Sequence, residues 1–380
     1  MRQQWMNGSG QEETPALNRK GKRNLLLLAL AVAMGASPAA AGLSAEKASA
    51  AAPAYKIISQ AFKIDGRALS ISALNTDNTT YVALRVLSEN LGLQTKWDKA
   101  KQTVTVTGHG RVLVMNLKTG ETRLNDQAIY GLPAIVQNNT TYLPFRFLME
   151  RMGYSIGYDA ATRGIEVVKI KENDLKIGTV TIAQSDAKKA LTLEVNYPQI
   201  SGLADAAVQK KINDYLKSEA EAHAKYGRET LEEAAKANAE YAADNPGERL
   251  LPVSYQGSYY VTYNENGKLS LYVDYYEYTG GAHGGTVRVP YAFDLSTGDL
   301  LTLKEAAGNN ADYVKIINAA IREGIKKQNL EPLLNPFETI EPDRPFYLNH
   351  NGLVVYFEQY EYTPYAAGMP EFVIPLKSFG

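Results

Sequence analysis

The chain contains no cysteine, so no disulfide staples the fold and no thiolate can hold a metal or act as a nucleophile. Histidine is scarce as well: His109, His223, His283 and His350 are scattered along the chain, with no His-x-His or His-Glu-x-x-His among them. A metal site needs further ligands at regular spacing, so no metal and no other cofactor is expected. Charge of one sign is missing too. With 40 basic and 41 acidic residues there is no basic surplus to neutralise phosphates, and a nucleic-acid partner is not expected. No Gly-x-Ser-x-Gly elbow, phosphate-binding Gly-x-x-x-x-Gly-Lys-Ser/Thr loop or Ser-x-x-Lys placed in the manner of acyl enzymes occurs. These absences move the expectation away from catalysis. The apolar run Leu25 to Gly35 falls short of the ~20 residues that cross a bilayer.

That run follows a basic cluster, Arg19, Lys20, Lys22 and Arg23, and is followed by small residues, the order of a secretory signal peptide. Two small-x-small sites compete for cleavage, Ala39-Ala40-Ala41 before Gly42 and Ala48-Ser49-Ala50 before Ala51. We take residues 1–41 as the leader and 42–60 as a linker. An uncleaved signal anchor, which would retain the protein at the membrane, stays open as the alternative. In both cases the remainder faces outward, secreted or associated with the cell surface.

A repeat follows. Asn78-Thr79-Thr80-Tyr81-Val82-Ala83-Leu84-Arg85 aligns with Asn139-Thr140-Thr141-Tyr142-Leu143-Pro144-Phe145-Arg146 at an offset of 61 residues. The match persists through Leu87 and Leu148, Gly92 and Gly153, Trp97 and Tyr158, Asp98 and Asp159, and Val104 and Ile165, which makes it a duplication. Each copy reads as strand, turn, short strand with Tyr, a helix closed by Gly, and a final strand pair, a small α+β module. In the first copy Leu84 to Asn90 has helical spacing, with Gly92 placed for a left-handed cap. Arg85 and Arg146 stand where each helix begins and are expected to pair with Asp98 and Asp159.

This pattern resembles the stalk domain named from the amino terminus of copper amine oxidases, over residues 61–169. The resemblance implies the noncatalytic stalk alone. The copper-ligating histidines are absent, and the one Asn-Tyr, Asn196-Tyr197, precedes Pro198 in place of a quinone motif.

From Leu175 the texture becomes that of alternating strands: Gly178 to Ala183, then Ala190 to Tyr197, broken by Pro198 and Gly202. A long polar helical stretch with an apolar stripe of Leu203, Val208, Ile212, Tyr215 and Leu216 runs on to Ala243, as a solvated helix or a helical hairpin. Asn266-Gly267 marks a hairpin between Ser258 to Tyr263 and Leu269 to Tyr278. The strand ends in the loop Thr279-Gly280-Gly281-Ala282-His283-Gly284-Gly285. Thr286 to Asp294, an amphipathic helix over Tyr313 to Gln328, and strands Leu353 to Phe357 and Phe372 to Pro375 complete residues 175–380, an α+β domain with antiparallel sheet and helices. Tyrosine is abundant, 25 against 9 phenylalanines, and its apolar body with a polar tip suits half-exposed strands and contact surfaces.

Tyr276-Glu277-Tyr278 with the Gly-Gly-Ala-His-Gly loop, then Phe293-Asp294-Leu295-x-Thr297-Gly298 and Tyr360-Glu361-x-x-x-Tyr365-Ala366-Ala367-Gly368, is similar to the paired DUF4163/DUF3298-type domains of lysozyme-sensing anti-sigma factors. The same pair accompanies certain peptidoglycan deacetylases. In those anti-sigma factors the extracellular domain binds lysozyme, so the resemblance implies a binding domain at a Gram-positive cell envelope. Met1 to Asn24 is too short and polar for a sigma-factor-holding segment, and no deacetylase domain follows the last strand, so a sensing or targeting module without either effector is expected. The expected contacts are Tyr276, Glu277, Tyr278, His283, Tyr360, Glu361 and Tyr365, and the expected partners are lysozyme or peptidoglycan fragments. Two alternatives remain: an envelope hydrolase using Glu277, Glu361 or His283, and a structural spacer of the envelope.

Overall fold

The duplicated α+β module is present, and its two copies are interlocked. In this computed structural model, which describes residues 55–129, 131–247 and 250–380, the first copy supplies strands Ile57–Ile64 (β1), Arg67–Thr76 (β2) and Thr79–Ala83 (β3). Helix Leu84–Leu91 (α1) and strands Gln94–Asp98 (β4), Thr103–Gly108 (β5) and Arg111–Asn116 (β6) follow. The second copy supplies Thr122–Leu124 (β7), Gln127–Ile129 (β8), Ile135–Gln137 (β9), Thr140–Pro144 (β10), helix Phe145–Arg151 (α2), Tyr154–Asp159 (β11) and Gly164–Lys169 (β12). The expected leader lies outside the described residues, among which no helix is long and apolar enough to cross a membrane.

These strands form two sheets, β11-β12-β1-β2-β3-β10-β9 and β4-β5-β6-β7-β8. Where the two copies meet in the first sheet, between β3 and β10, Tyr142 faces Ala83, Leu143 faces Val82 and Pro144 faces Tyr81. Under the repeat offset this register maps onto itself, so a local twofold axis passes between Val82 and Leu143. On one side β12 of the second copy lies parallel to β1 of the first; on the other, β5 of the first copy reaches β7 of the second through β6. One continuous core results, with Leu74, Leu87, Leu143, Leu148 and Val167 fully buried. A single copy, one short helix with six strands, some of only three residues, buries too little apolar area to close alone. Gly92 caps α1 in the left-handed conformation (φ 65°) with its N–H on Leu87 O, as the spacing predicts.

The repeated arginines do not meet the repeated aspartates. Arg146 pairs with Glu150 at 2.9 Å and donates to Ile156 O, while Asp159 accepts from Ala161 N and Thr162 Oγ1. Asp98 accepts from the Ala100 and Lys101 amides, and Arg85 is exposed. Each aspartate is satisfied within its own turn, the usual role of Asp between strands.

The second region runs Lys176–Asp186 (β13), Leu191–Ser201 (β14), helix Ala206–Asp244 (α3), Val253–Glu265 (β15), Lys268–Tyr278 (β16), Gly285–Asp294 (β17), helices Leu303–Ala306 (α4) and Tyr313–Lys327 (α5), then Phe346–Asn349 (β18), Gly352–Tyr356 (β19) and Glu371–Ile374 (β20). A five-stranded sheet β13-β14-β15-β16-β17 carries α3 on one face and faces the three-stranded sheet β18-β19-β20 on the other. Pro198 does not break its strand: β14 continues to Ser201, paired only with β13 beyond Val195. With one neighbour lost, the missing amide of Pro198 leaves no ladder bond unmade. The polar helical stretch is a single helix, capped by the Asp205 carboxylate on the Ala207 and Val208 amides. Its buried stripe Val208, Ile212, Leu216, Ala220, Ala224, Gly227, Leu231 and Ala235 corrects the solvated reading of the Ala-rich half. Small residues there let the helix approach the sheet, and a Cβ at Gly227 would fall 2.5 Å from the Tyr255 ring. The Asn266-Gly267 turn has φ 51° and 70°, the double positive φ of a type I′ hairpin.

The two regions are joined by specific polar contacts. The Gln127 side chain donates to Tyr259 O and accepts from Tyr259 N, both at 2.8 Å and buried. Arg111 grips Glu172 through two hydrogen bonds of 2.6 and 2.7 Å, and Asn173 exchanges backbone and side-chain bonds with Asn264.

Candidate functional site

Strand β16 decides which way the Tyr-Glu-Tyr motif faces. Leu269, Leu271, Val273 and Tyr275 are buried beneath α3, and alternation puts Glu277 on that same face, where it bonds Tyr226 of α3 and burial raises its pKa. Tyr276 and Tyr278 therefore face the other way, toward the glycine loop and the C-terminal segment. Tyr278 Oη donates to Gly281 O at 3.0 Å. The Tyr276 ring packs against Gly284, where a Cβ would lie 2.6 Å from Cζ and 2.2 Å from Glu277 O. Gly280 and Gly281 adopt φ of 98° and 115°, a path that only glycine takes without strain. The glycines thus serve loop geometry, and His283 rides on them at the surface.

The 358–368 segment returns to meet this loop. Gln359 Oε1 accepts from the Thr286 amide at 2.8 Å, which ties the segment to the start of β17. The His283 ring stacks on Tyr365 with centroids 4.0 Å apart and lies 6.4 Å from Tyr360, whose own ring is 5.7 Å from Tyr365. Nδ1 of His283 meets Gly284 O at 2.9 Å and so carries the proton; Nε2 then accepts from Tyr360 Oη at 3.3 Å. Tyr360 has φ 65° and its residue surface is 53% exposed. Tyr365 opens a 3-10 turn, Tyr365–Ala367, closed by Gly368.

Of the seven residues read from the sequence, the structure brings together Tyr276, Tyr278, His283, Tyr360 and Tyr365. Glu277 is on the opposite face. Glu361 is taken up internally: both its oxygens meet the Arg344 guanidinium, and it accepts the Glu358 amide at 2.9 Å. Arg344 also donates to Tyr356 O and is buried. The neighbouring Glu358 carboxyl is pushed up to about 7 by burial, with the Glu361 charge adding to it and Arg344 opposing.

Sequence reasoning missed the support of this corner. Arg288 lies between the two sheets, 3.8 Å over the Tyr272 ring, clamped by Asp274 (2.7 and 2.9 Å) and by Glu371 (2.6 Å). Tyr356 Oη donates to Arg288 O. The only signal was an arginine at an alternate position of a strand, which does not reveal a partner 83 residues away. Among the described residues no group of three or more His, Asp or Glu could hold a metal ion.

Comparison with known proteins matches three family models to the chain. The copper amine oxidase N-terminal domain matches residues 63–167 and 130–202, Deacetylase PdaC matches 184–286, and the DUF3298 family of unknown function matches 304–377. His283 falls in the second of these and Tyr360 and Tyr365 in the third, so the corner is built where the two meet. Anti-sigma-V factor RsiV of Bacillus subtilis (strain 168) is 26% identical over 216 residues, covering 50% of this chain and 65% of that protein, just under two thirds of its length. DUF3298 proteins of known structure from Bacteroides fragilis NCTC 9343 and Pseudomonas aeruginosa PAO1 align with TM-scores of 0.42 and 0.37. Their identities are 19% and 17%, over 54% and 55% of this chain and 92% and 93% of theirs. Along the chain, residues 63–202 are thus similar to the copper amine oxidase N-terminal domain, 184–286 to Deacetylase PdaC and 304–377 to the DUF3298 family.

Proposed function

We propose that the second region is a recognition module of the cell envelope that docks lysozyme, or a peptidoglycan fragment, on the corner formed by Tyr276, Tyr278, His283, Tyr360 and Tyr365, without chemistry. The observation that carries this reading is Tyr360. A bulky side chain in the left-handed region costs about 1–2 kcal/mol, and this one fills no core. Strain retained at an exposed position is characteristic of a contact site. Rigid aromatic rings held in place before binding lose little entropy on contact, and tyrosine is a frequent hot-spot residue for that reason. Similarity to an anti-sigma factor supports an envelope role for the fold pair. Of the three candidates of the hydrolase alternative, Glu277 faces α3, away from the corner, and Glu361 is bound by Arg344.

Calorimetric titration of the compact unit Tyr55–Gly380 with lysozyme and with soluble peptidoglycan fragments tests the reading. Saturable binding is expected, weakened about ten-fold or more by Tyr360→Ala or Tyr365→Ala. Absence of binding to both ligands would overturn it, and product released from muropeptides would put the hydrolase reading ahead.

A further inference from the structure

A second candidate site lies away from this corner, between the two regions. The cleft has a volume of about 320 Å³, within the span of small-molecule sites, about 300–1,000 Å³. Its first wall is the end of α2 with β11 and the His109 turn; its second is the face of β15 and β16 turned away from α3, with β18 beside it. That second wall is aromatic: the rings of Tyr260, Tyr272 and Tyr347 follow one another at centroid spacings of 5.1 and 5.1 Å.

Arg151, the last residue of α2, reaches into this space. Its Nη1 donates to Phe147 O at 3.0 Å, and its guanidinium lies 3.9 Å over the Phe147 ring. Its Nε is buried with no hydrogen-bond partner. Burial lowers its pKa, while the neighbouring Tyr260, Tyr272 and Glu150 oppose that shift. The carboxylates of the cleft are already engaged, Glu172 by Arg111 at 2.6 Å and Glu150 by Arg146 at 2.9 Å. Arg151 forms no ion pair of its own among the described residues. A desolvated cation with an orphaned donor is costly to keep, and a forked guanidinium is matched geometrically by a carboxylate. Tyrosine rings beside it offer flat apolar surface with polar tips, which suits the C–H face and hydroxyl rim of a pyranose.

We infer that this interdomain cleft is a binding site for a sugar acid of monosaccharide size, its carboxylate paired with Arg151 and its ring laid against the half-exposed Tyr260, which Tyr272 and the buried Tyr347 back. The site is independent of lysozyme docking, since none of its residues belongs to the Tyr360 corner. It also gives the first region a part in recognition beyond that of a spacer.

The test uses a matched pair of probes on the intact chain, N-acetylmuramic acid and N-acetylglucosamine, which differ by one lactyl carboxylate, with inorganic phosphate as a bare anion. Calorimetry is expected to show saturable binding of the acid, at least about ten-fold tighter than the neutral sugar or phosphate. Arg151→Met should reduce the affinity for the acid about ten-fold or more, and Arg151→Lys, which keeps the charge and loses the fork, by less. Circular dichroism of both Arg151 variants separates lost binding from lost folding, and the lysine variant carries the test if the methionine variant does not fold. Equal binding of acid and neutral sugar, phosphate as tight as the acid, or affinity indifferent to both Arg151 substitutions would each overturn the inference.

Discussion

Replacing Gln127 with leucine should cost more stability than any substitution of similar size on the surface. The glutamine is 2% exposed and gives both ends of its amide to one residue, with Nε2 on Tyr259 O and Oε1 on Tyr259 N. It stands in for a strand at this position, because the pairing of β14 with β15 stops at Val195 and Gly257 and leaves the outward amide and carbonyl of Tyr259 without a ladder partner. Leucine keeps the volume and removes both bonds. Each buried group left unsatisfied costs about 1–3 kcal/mol; the adjoining cleft admits some water, so a loss of about 2–4 kcal/mol is expected for the pair. Equilibrium urea unfolding of Tyr55–Gly380 reads it as a lowered midpoint at unchanged slope. Gln127→Glu refines the test: an ionised carboxylate cannot donate to Tyr259 O, whereas a protonated one can, so this variant should lose more at pH 7 than at pH 4. A leucine variant within about 0.5 kcal/mol of the wild type, the range of an ordinary surface change, would refute the reasoning.

Two further outcomes follow from buried geometry. His223 lies 3.7 Å from the Tyr275 ring in parallel stack, and burial lowers its pKa to about 4. Its neutral form is therefore favoured by folding, and that contribution is complete above the ordinary histidine range near 6.5 and is lost as pH falls toward 4. His223→Phe should flatten this acid limb, worth about 2–3 kcal/mol, in urea unfolding measured across pH 4 to 7. Gly284→Ala would drive a Cβ into Glu277 O and the Tyr276 ring. A loss of about 1–3 kcal/mol is expected in the same assay, together with weakened lysozyme binding by calorimetry.

Local features were readable from the sequence where short-range chemistry fixes them. Gly92 ends α1 and Asn266-Gly267 turns β15 into β16 because each position requires positive φ, and α5 follows its apolar stripe from Tyr313. The glycine loop and the Tyr360 to Gly368 segment stood out by composition and motif, and the fold does bring them together. Facing was harder. Alternation along β16 assigns Glu277 and Tyr276 to opposite sides, but only the position of α3 says which side is covered. Glu361 looked available because Arg344, 17 residues upstream, carries no local sign of pairing with it. Pro198 misled because a proline is tolerated wherever a strand has lost one neighbour, and that depends on where β15 ends its pairing. Arg151 drew no notice for the same reason: its lack of a counter-ion is a property of a cleft assembled from both regions.

The self-mapping register at Val82 and Leu143 bears on how the tandem arose. A single copy would carry β3 as an open edge whose sequence is complementary to itself, and it would lack the closing strand that β12 gives to β1. Two free copies would answer both deficits by pairing isologously and swapping arms, as symmetric dimers do. Fusion converts that bimolecular encounter into an intramolecular one at high effective concentration. Within one chain the halves need not be identical: β6 lies between β5 and β7 on one side only, and the Gln127 contact is made once where a symmetric dimer would make it twice.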